Sequence, residues 1–321
     1  MKNKILILDD YLPVKKIIIK KLKKYKLVFK NFESQKKLNN YLKRNSFYAI
    51  YSAFGYKLDE NSLQNLEDSL NFIISPTTGT EHIDLDYCKK KKIKVLTLKK
   101  EEKFLKDITA TAELTWSLIL GLAKNLNRFS SDVINKKAWN RNSYLNHDLK
   151  GNSLGIIGYG RIGRIISKYA KAFGMKIFVY EKNKQKRKNS KYVNFVSLKK
   201  VLTCKFITIH IALDKNYNFL SKKLLGYIGK ESYIINTSRG DIFNENYLLK
   251  SIKSNSFKGF GFDVLPSDVL WKNKISSKYN FLKKIKTNFF ITPHIGGNTL
   301  ESRTKTTLFM IKKFLDNTKI N

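Results

Sequence analysis

The stretch Ser153-Leu-Gly-Ile-Ile-Gly-Tyr-Gly-Arg-Ile-Gly-Arg-Ile-Ile-Ser-Lys168 joins an apolar run, three glycines and a helical repeat. The apolar residues between 154 and 157 are of the kind that a buried parallel strand requires. The glycines follow at the spacing G-x-G-x-x-G, and isoleucines then recur at helical spacing. A strand, a glycine turn and a helix are the context in which this motif predicts a dinucleotide site rather than an ordinary turn.

Each glycine of the motif has its own physical reason. Gly158 permits a tight turn, Gly160 lets the backbone come close to a pyrophosphate, and Gly163 lets the helix pack against the strand. The N–H groups at the start of the helix, around Arg161 and Ile162, would then face the anion. These five residues form the predicted pyrophosphate site.

A second apolar run, residues 176–180, ends in Glu181, about 20 residues after the glycines. An acid at that position meets the ribose hydroxyls and repels a 2′-phosphate. The sequence therefore predicts NAD as the cofactor rather than NADP, although the neighbouring Lys182 and Lys184 weaken the distinction.

The composition of the chain favours a globular protein over one dedicated to binding polyanions. The chain has 321 residues, 42% of them hydrophobic, which is enough for a real core, and a formal net charge of +38. The excess lysine is spread along the chain, which indicates solvated faces rather than a designed patch. We expect no specific nucleic-acid partner, only nonspecific adhesion to polyanions at low salt. A dedicated polyanion-binding protein is the alternative that the charge suggests.

The same sequence bears on compartment. Cys88 and Cys204 lie far apart without metal-ligand spacing, so we expect reduced thiols in a cytoplasmic protein and no metal site. The N-terminal apolar run reaches acids at once, which predicts a first strand rather than a signal peptide. No apolar stretch approaches the ~20 residues of a membrane helix, so we expect no membrane partner.

Alternating strand and helix patterns fill residues 1–100 and predict a parallel sheet covered on both faces. Residues 107–128 read as one long helix bridging two domains. Residues 129–152 are polar and irregular, and their Trp139 packs either on a partner subunit or beneath this arm. Apolar runs after the glycine turn predict a doubly wound sheet of six or seven strands.

Three later strand ends carry polar residues, in segments 236–241, 263–268 and 292–297. The carboxyl ends of parallel strands meet at one edge of a sheet, where ligands bind. The loop 76–84 follows a strand in the same way. Separately, each feature would suit an ordinary turn or cap, but together they predict an active site.

These motifs resemble those of the D-isomer-specific 2-hydroxyacid dehydrogenases, over roughly residues 70–305. The matching pieces are Thr78-Gly79 with Glu81-His-Ile-Asp84, Thr111-Ala-Glu113, the glycine motif with Ala172-Phe-Gly-Met175, His210, Asn236-Thr-Ser-Arg-Gly240 and Pro293-His-Ile-Gly-Gly297. The first 70 residues match only in pattern.

The resemblance implies roles for these residues. His294 would exchange a proton with the substrate oxygen as hydride is transferred, and Arg239 would bind the carboxylate and polarise the 2-oxo group. Backbone N–H groups near Thr78 and Gly79 would hold the same carboxylate. The implied cofactor contacts are Asp263 at the nicotinamide amide, Thr237, Ser238 and Gly296 beside it, and Ala212 and Leu213 near the adenine side.

One position departs from the family. The glutamate that usually pairs with the histidine and makes it more basic corresponds to Asp268, one methylene shorter. Aspartate can act in the same way if the backbone comes closer; otherwise the histidine would be less basic and the enzyme slower.

We therefore expect an α/β protein of two Rossmann-like, doubly wound parallel-sheet domains. Residues 1–101 plus 298–321 would form a flavodoxin-like substrate domain, and residues 102–297 an inserted NAD-binding domain. The expected activity is hydride transfer between NAD(H) and a small 2-hydroxy or 2-oxo acid, in a homodimer formed through the cofactor domains. Glyoxylate or hydroxypyruvate, a phosphorylated acid such as 3-phosphoglycerate, and sugar acids all stay open as substrates. The alternative is a catalytically weak NAD sensor or scaffold on the same fold.

Overall fold

A computed structural model describes residues 2–9, 11–66, 68–137, 139–187, 192–268, 274–285 and 287–318. The chain divides into two compact units. The first takes the described residues of Met1–Ile108, Val269–Ser276 and Asn298–Asn321, and the second those of Thr109–Asp268 and Ser277–Gly297. In the described part of the chain, no helix is long and apolar enough to cross a membrane.

The first unit contains a parallel sheet in the order β2-β1-β3-β4-β5. Its strands are β1 Lys4–Ile7, β2 Lys26–Phe29, β3 Ala49–Tyr51, β4 Phe72–Ile74 and β5 Lys94–Leu96. Alternate residues of one strand point to opposite faces, so Leu6 and Ile7 enter two different apolar clusters. Both faces are therefore buried, which explains the nearly continuous apolar runs of these strands.

Helices cover both faces of this sheet. They are α1 Leu12–Lys21, α2 Gln35–Leu42, α3 Glu60–Leu63, α4 Leu85–Lys90, α5 Glu102–Leu105 and the C-terminal helix Leu300–Thr318. The C-terminal helix packs against α1 and buries Met310, Ile311 and Phe314 against the sheet. Residues from the two ends of the chain thus build one core.

The second unit contains a parallel sheet in the order β12-β11-β10-β9-β6-β7-β8. Its strands are β6 Ser153–Ile157, β7 Lys176–Tyr180, β8 Asn194–Phe195, β9 Phe206–Ile209, β10 Tyr233–Asn236, β11 Gly259–Phe262 and β12 Asn288–Ile291. The order reverses between β6 and β9, which creates a crevice at their carboxyl ends. This confirms the doubly wound fold, with the larger of the two expected strand numbers.

The predicted single helix over 107–128 is wrong, because the chain breaks at Asn125. Helix α6 is Ala110–Ala123, and α7 is Leu126–Lys136, most of which lies in the stretch expected to be irregular. Asn125 has φ 52°, a left-handed conformation that asparagine tolerates better than most residues. The apolar period continues across the break, so periodicity alone does not reveal it.

The remaining helices of this unit are α8 Arg161–Ala172, α9 Leu198–Leu202, α10 Lys222–Leu225 and α11 Glu245–Lys253. Trp139 follows α7 with 89% of its surface exposed, so the expectation of burial beneath its own arm is wrong. The nearby Ile134 and Leu145 are also exposed, at 73% and 87%. The second unit therefore exposes several large apolar side chains between residues 126 and 145.

Candidate active site

The glycine turn leaves β6 at Gly158, whose φ is 95°. A Cβ atom there would lie 2.5 Å from the carbonyl oxygen of His210, and one at Gly163 would lie 2.2 Å from the carbonyl oxygen of Gly158. Both positions are thus restricted to glycine by close backbone packing. A Cβ at Gly160 would meet no atom within 4 Å, so open space lies beside this residue.

Gly160 is also the N-cap of α8. The first intrahelical backbone bond joins the Arg164 N–H to the Gly160 carbonyl at 3.1 Å, and the N–H groups ahead of Arg164 belong to the first turn. The first turn of this helix, around Arg161, Ile162 and Gly163, therefore directs partial positive charge at the open space. Burial lowers the pKa of the Arg161 guanidinium, which still stays charged at neutral pH.

Glu181 follows β7 and closes the other side of the turn. Its Oε2 accepts a hydrogen bond from the Tyr159 N–H, and its Oε1 accepts one from the Asn183 N–H, both at 2.8 Å. A carboxylate has about four lone-pair sites, so these two bonds leave room for a hydroxyl pair. An open anion-binding helix start beside a fixed carboxylate fits a dinucleotide with a ribose diol.

The loop after β9 packs on the same turn. The predicted adenine-side residues Ala212 and Leu213 lie here, and the Ala212 carbonyl accepts a hydrogen bond of 2.8 Å from the Asn216 side chain. Nε2 of His210 lies 2.9 Å from the Thr208 hydroxyl. Enclosure by protein lowers the pKa of His210 to about 3, so the ring is neutral at physiological pH.

Asn236, the last residue of β10, organises the loop that carries Thr237, Ser238 and Arg239. Its buried Oδ1 accepts hydrogen bonds from the Ser238 N–H at 3.0 Å and the Ser238 hydroxyl at 2.7 Å. Its Nδ2 donates to the Arg239 carbonyl at 2.9 Å. A strand-end asparagine that satisfies its own loop can be recognised in the sequence, but the prediction did not assign Asn236 a role.

Thr237 is tied to α6. Its hydroxyl lies 2.7 Å from that of Thr115, which itself donates to the Thr111 carbonyl at 2.7 Å. Because Thr115 has only one hydroxyl proton, Thr237 must be the donor to Thr115. The lone pairs of Thr237 are then available on the loop where cofactor contacts are expected.

Asp263, just after β11, fixes the turn that carries His294. Its Oδ1 accepts from the Thr292 hydroxyl at 2.6 Å and the Ile295 N–H at 2.8 Å, and its Oδ2 accepts from the Gly296 N–H at 2.8 Å. The Asp263 carbonyl accepts from the His294 N–H at 2.8 Å. These contacts hold His294 at φ 55°, a conformation that few non-glycine residues adopt.

The predicted catalytic pair is in contact. Nδ1 of His294 lies 2.9 Å from Oδ2 of Asp268, and the Asp268 side chain is only 9% exposed. Among the described residues, none forms an aligned hydrogen bond to this oxygen. The carboxylate of Asp268 therefore contacts the imidazole ring of His294 closely, but without the alignment of a hydrogen bond.

Thr78 and Gly79 belong to the first unit, in the loop after β4. The Thr77 hydroxyl donates to the Gly79 carbonyl at 2.7 Å and lies 2.9 Å from the Ser75 hydroxyl. Nε2 of His82 lies 3.2 Å from the same Ser75 hydroxyl. Side chains thus fix the shape of the loop while Thr78 stays exposed.

Comparisons with known proteins identify the family. The model of the D-isomer specific 2-hydroxyacid dehydrogenase NAD-binding domain matches residues 116–296. A protein named glyoxylate reductase, from Thermococcus litoralis, is 33% identical over 77% of this chain and 73% of its own length. One named D-3-phosphoglycerate dehydrogenase, from Haemophilus influenzae, is 29% identical over 70% of this chain and 53% of its own length.

A solved structure agrees over nearly the whole chain. The D-lactate dehydrogenase of Aquifex aeolicus, complexed with NAD and lactic acid, has a TM-score of 0.83 and 27% sequence identity. The match covers 99% of this chain and 96% of that one. Motifs, fold and comparisons agree, and the chain belongs to the D-isomer specific 2-hydroxyacid dehydrogenases, the NAD-dependent oxidoreductases of 2-hydroxy acids.

Proposed function

We propose that this dehydrogenase reduces a small 2-oxo acid by means of His294, Asp268 and Arg239. The observation that carries the proposal is the 2.9 Å contact between Nδ1 of His294 and Oδ2 of Asp268. Because Nδ1 faces the carboxylate, Nε2 is the nitrogen at which the proton moves to the substrate oxygen. The charge of Asp268 stabilises the protonated ring before this transfer.

The other groups bind the substrate and the cofactor and orient them for the reaction. Arg239 pairs with the substrate carboxylate and polarises the 2-oxo group, and the N–H groups of the loop at Thr78 and Gly79 hold the same carboxylate. NADH, when bound, supplies the hydride. Its pyrophosphate would lie at Gly158, Gly160, Arg161, Ile162 and Gly163, and its ribose at Glu181. Ala212, Leu213, Thr237, Ser238, Asp263 and Gly296 would complete the cofactor site.

The substrate class is proposed on the relatives. The 33% identical protein named glyoxylate reductase favours a small unphosphorylated 2-oxo acid such as glyoxylate or hydroxypyruvate. The relative named D-3-phosphoglycerate dehydrogenase supports a phosphorylated acid instead. Lysine side chains could bind its phosphate, but they are spread along the whole chain and so indicate no particular phosphate pocket.

The test follows NADH oxidation against a panel of 2-oxo acids, with and without phosphate, in moderate salt. His294→Ala and Arg239→Ala should each lower kcat/KM by about 10²-fold or more. The matched controls are His147→Ala, near the start of β10 and away from the carboxyl ends of the strands, and Arg44→Ala, at an exposed position after α2. Bound NADH without turnover on any acid would instead support the sensor alternative.

The proposed homodimer would bury the large apolar side chains that are exposed between residues 126 and 145. Leu126, Ile134, Trp139 and Leu145 are all more than half exposed in the single chain. A soluble monomer rarely exposes so many large apolar side chains together. Light scattering should show a dimer that Trp139→Asp with Leu145→Asp converts to monomer, while Leu12→Asp, an exposed position of the first unit, leaves it intact.

We also propose a cytoplasmic location. Cys88 and Cys204 are free and buried, and burial raises the pKa of each thiol to about 11. Unreactive, unpaired thiols suit a reducing compartment. Subcellular fractionation with an antibody to the chain tests this directly, and recovery with secreted or membrane fractions would contradict it.

A further inference from the structure

Two loops of the second unit interlock, one carrying Arg239 and the other carrying Asp268. Gly240, after β10, packs against the loop after β11 so closely that a Cβ would lie 1.9 Å from the Leu265 carbonyl carbon and 2.4 Å from the Pro266 nitrogen. The next residue, Asp241, accepts a hydrogen bond of 3.0 Å from the Ser267 N–H through Oδ1. Arg239 and Asp268 therefore sit on loops that cannot move independently.

Ser267 is in an unusual conformation. Its φ is 63°, in the left-handed region that costs a non-glycine residue about 1 kcal/mol or more. The Asp268 N–H donates to the Leu265 carbonyl at 3.0 Å, which closes a tight turn around Pro266 and Ser267. The turn persists because hydrogen bonds on both sides of the strained residue hold it.

The Ser267 turn affects how closely the carboxylate of Asp268 approaches the ring of His294. Its side chain is one methylene shorter than glutamate, yet its Oδ2 comes within 2.9 Å of His294. The side chain starts directly after the left-handed residue, so the direction in which it leaves the backbone depends on that turn. If the turn opened, an aspartate would lose contact sooner than a longer side chain.

We infer that Asp241 is a positioning residue, which holds the Ser267 turn and thereby sets the distance between Asp268 and His294. This role rests on the proposed function of that pair. Asp241 is itself half-buried, and its carboxylate contacts the loop of Asp268 through the Ser267 N–H.

The charged residues near Asp241 determine which substitution of Asp241 tests its positioning role. The negative charges near Asp241 are those of Asp268 and Glu245; Glu245 pairs with Lys278 at 2.5 Å and accepts from the Tyr279 hydroxyl at 3.3 Å. Burial raises the pKa of Asp241, the hydrogen bond from the Ser267 N–H opposes this, and the two negative charges add to the rise. The inferred task needs an acceptor oxygen but no charge, so asparagine should replace aspartate and alanine should not.

The kinetic experiment compares Asp241→Asn and Asp241→Ala in the wild-type and Asp268→Asn backgrounds. Asp241→Ala should lower kcat about 10-fold with little change in KM or NADH affinity, and Asp241→Asn should stay within about 3-fold of wild type. In the Asp268→Asn background, Asp241→Ala should cause no further loss, because its effect passes through Asp268. An equal loss in both backgrounds, or none in either, overturns the inference.

Two further arms keep the test decisive. The first adds Ser267→Gly to Asp241→Ala, because glycine adopts a positive φ without strain. The double variant should regain part of the activity that Asp241→Ala loses. If Asp241→Ala folds poorly, the double variant should also regain part of the lost thermal stability. The ring resonances of His294, assigned by their loss in His294→Ala, should shift alike in Asp241→Ala and Asp268→Asn but not in Asp241→Asn. This arm reports on positioning even if no 2-oxo acid is turned over, an outcome that would count against the proposed function alone. Unshifted resonances in Asp241→Ala overturn the inference.

Discussion

Asp268 approaches His294 to 2.9 Å from a loop whose geometry Ser267 sets, while Asp263 holds the backbone of His294 from the neighbouring strand. The two partners thus come from the loops after β11 and β12, and Asp263, at the start of the first loop, ties the two together. The turn at Ser267 brings the shorter acid within reach of the ring, which is the condition under which an aspartate could act in place of the glutamate.

Asp268→Asn should lower kcat about 10²-fold, because the amide keeps the shape of the side chain but cannot stabilise a protonated ring. Asp268→Glu should also be slower, by about 10-fold, since the added methylene must fit where the side chain is 9% exposed. Steady-state kinetics over a range of pH measure both. A glutamate variant faster than wild type would mean that aspartate is the poorer residue at this site.

Gly160→Ala and Gly163→Ala should separate cofactor binding from folding. At Gly160 the new methyl meets no protein atom within 4 Å, so stability should hold while NADH affinity falls about 10-fold or more. At Gly163 the methyl would lie 2.2 Å from the Gly158 carbonyl oxygen, and stability should fall by about 2 kcal/mol or more. Urea unfolding and fluorescence titration with NADH distinguish the two. Equal effects of both variants on stability would contradict the open space at Gly160.

Glu181→Gln tests the choice between NADH and NADPH. The amide removes the charge that repels a 2′-phosphate, and it can accept only one of the two backbone hydrogen bonds now made by the carboxylate. NADH affinity should fall about 10-fold. NADPH affinity should fall less, because the repulsion of its 2′-phosphate is removed, so the ratio of the two affinities should decrease. Glu113→Gln is the matched control, since Glu113 lies on α6 and accepts from Thr109. An unchanged preference would place the selectivity elsewhere.

Much of this site follows from local sequence. The glycine spacing fixes the turn, and polar residues after apolar runs identify the strand ends, because parallel strands end at one edge. What could not be predicted depends on contacts between distant residues. The positive φ values of Ser267 and His294 are held by Asp241 and Asp263, on other strands, and neither residue type signals that conformation. The break at Asn125 cannot be predicted from the apolar pattern, because the helical period runs through it.

The neutral His210 should make folding stability depend on pH. Its pKa in the folded protein is about 3, against 6.5 for the ordinary side chain, so the unfolded chain binds more protons between these values. Stability is therefore full above about pH 6.5 and is lost progressively as the pH falls toward 3, by up to about 2 kcal/mol at about pH 5. His210→Gln does not titrate in this range, and an amide can still bond to the Thr208 hydroxyl. In urea unfolding, the stability of this variant relative to wild type should therefore rise from about pH 8 to about pH 5. Parallel curves for the two proteins would show that His210 titrates alike in the folded and unfolded chains, and that the enclosure at the end of β9 is looser than the structure indicates.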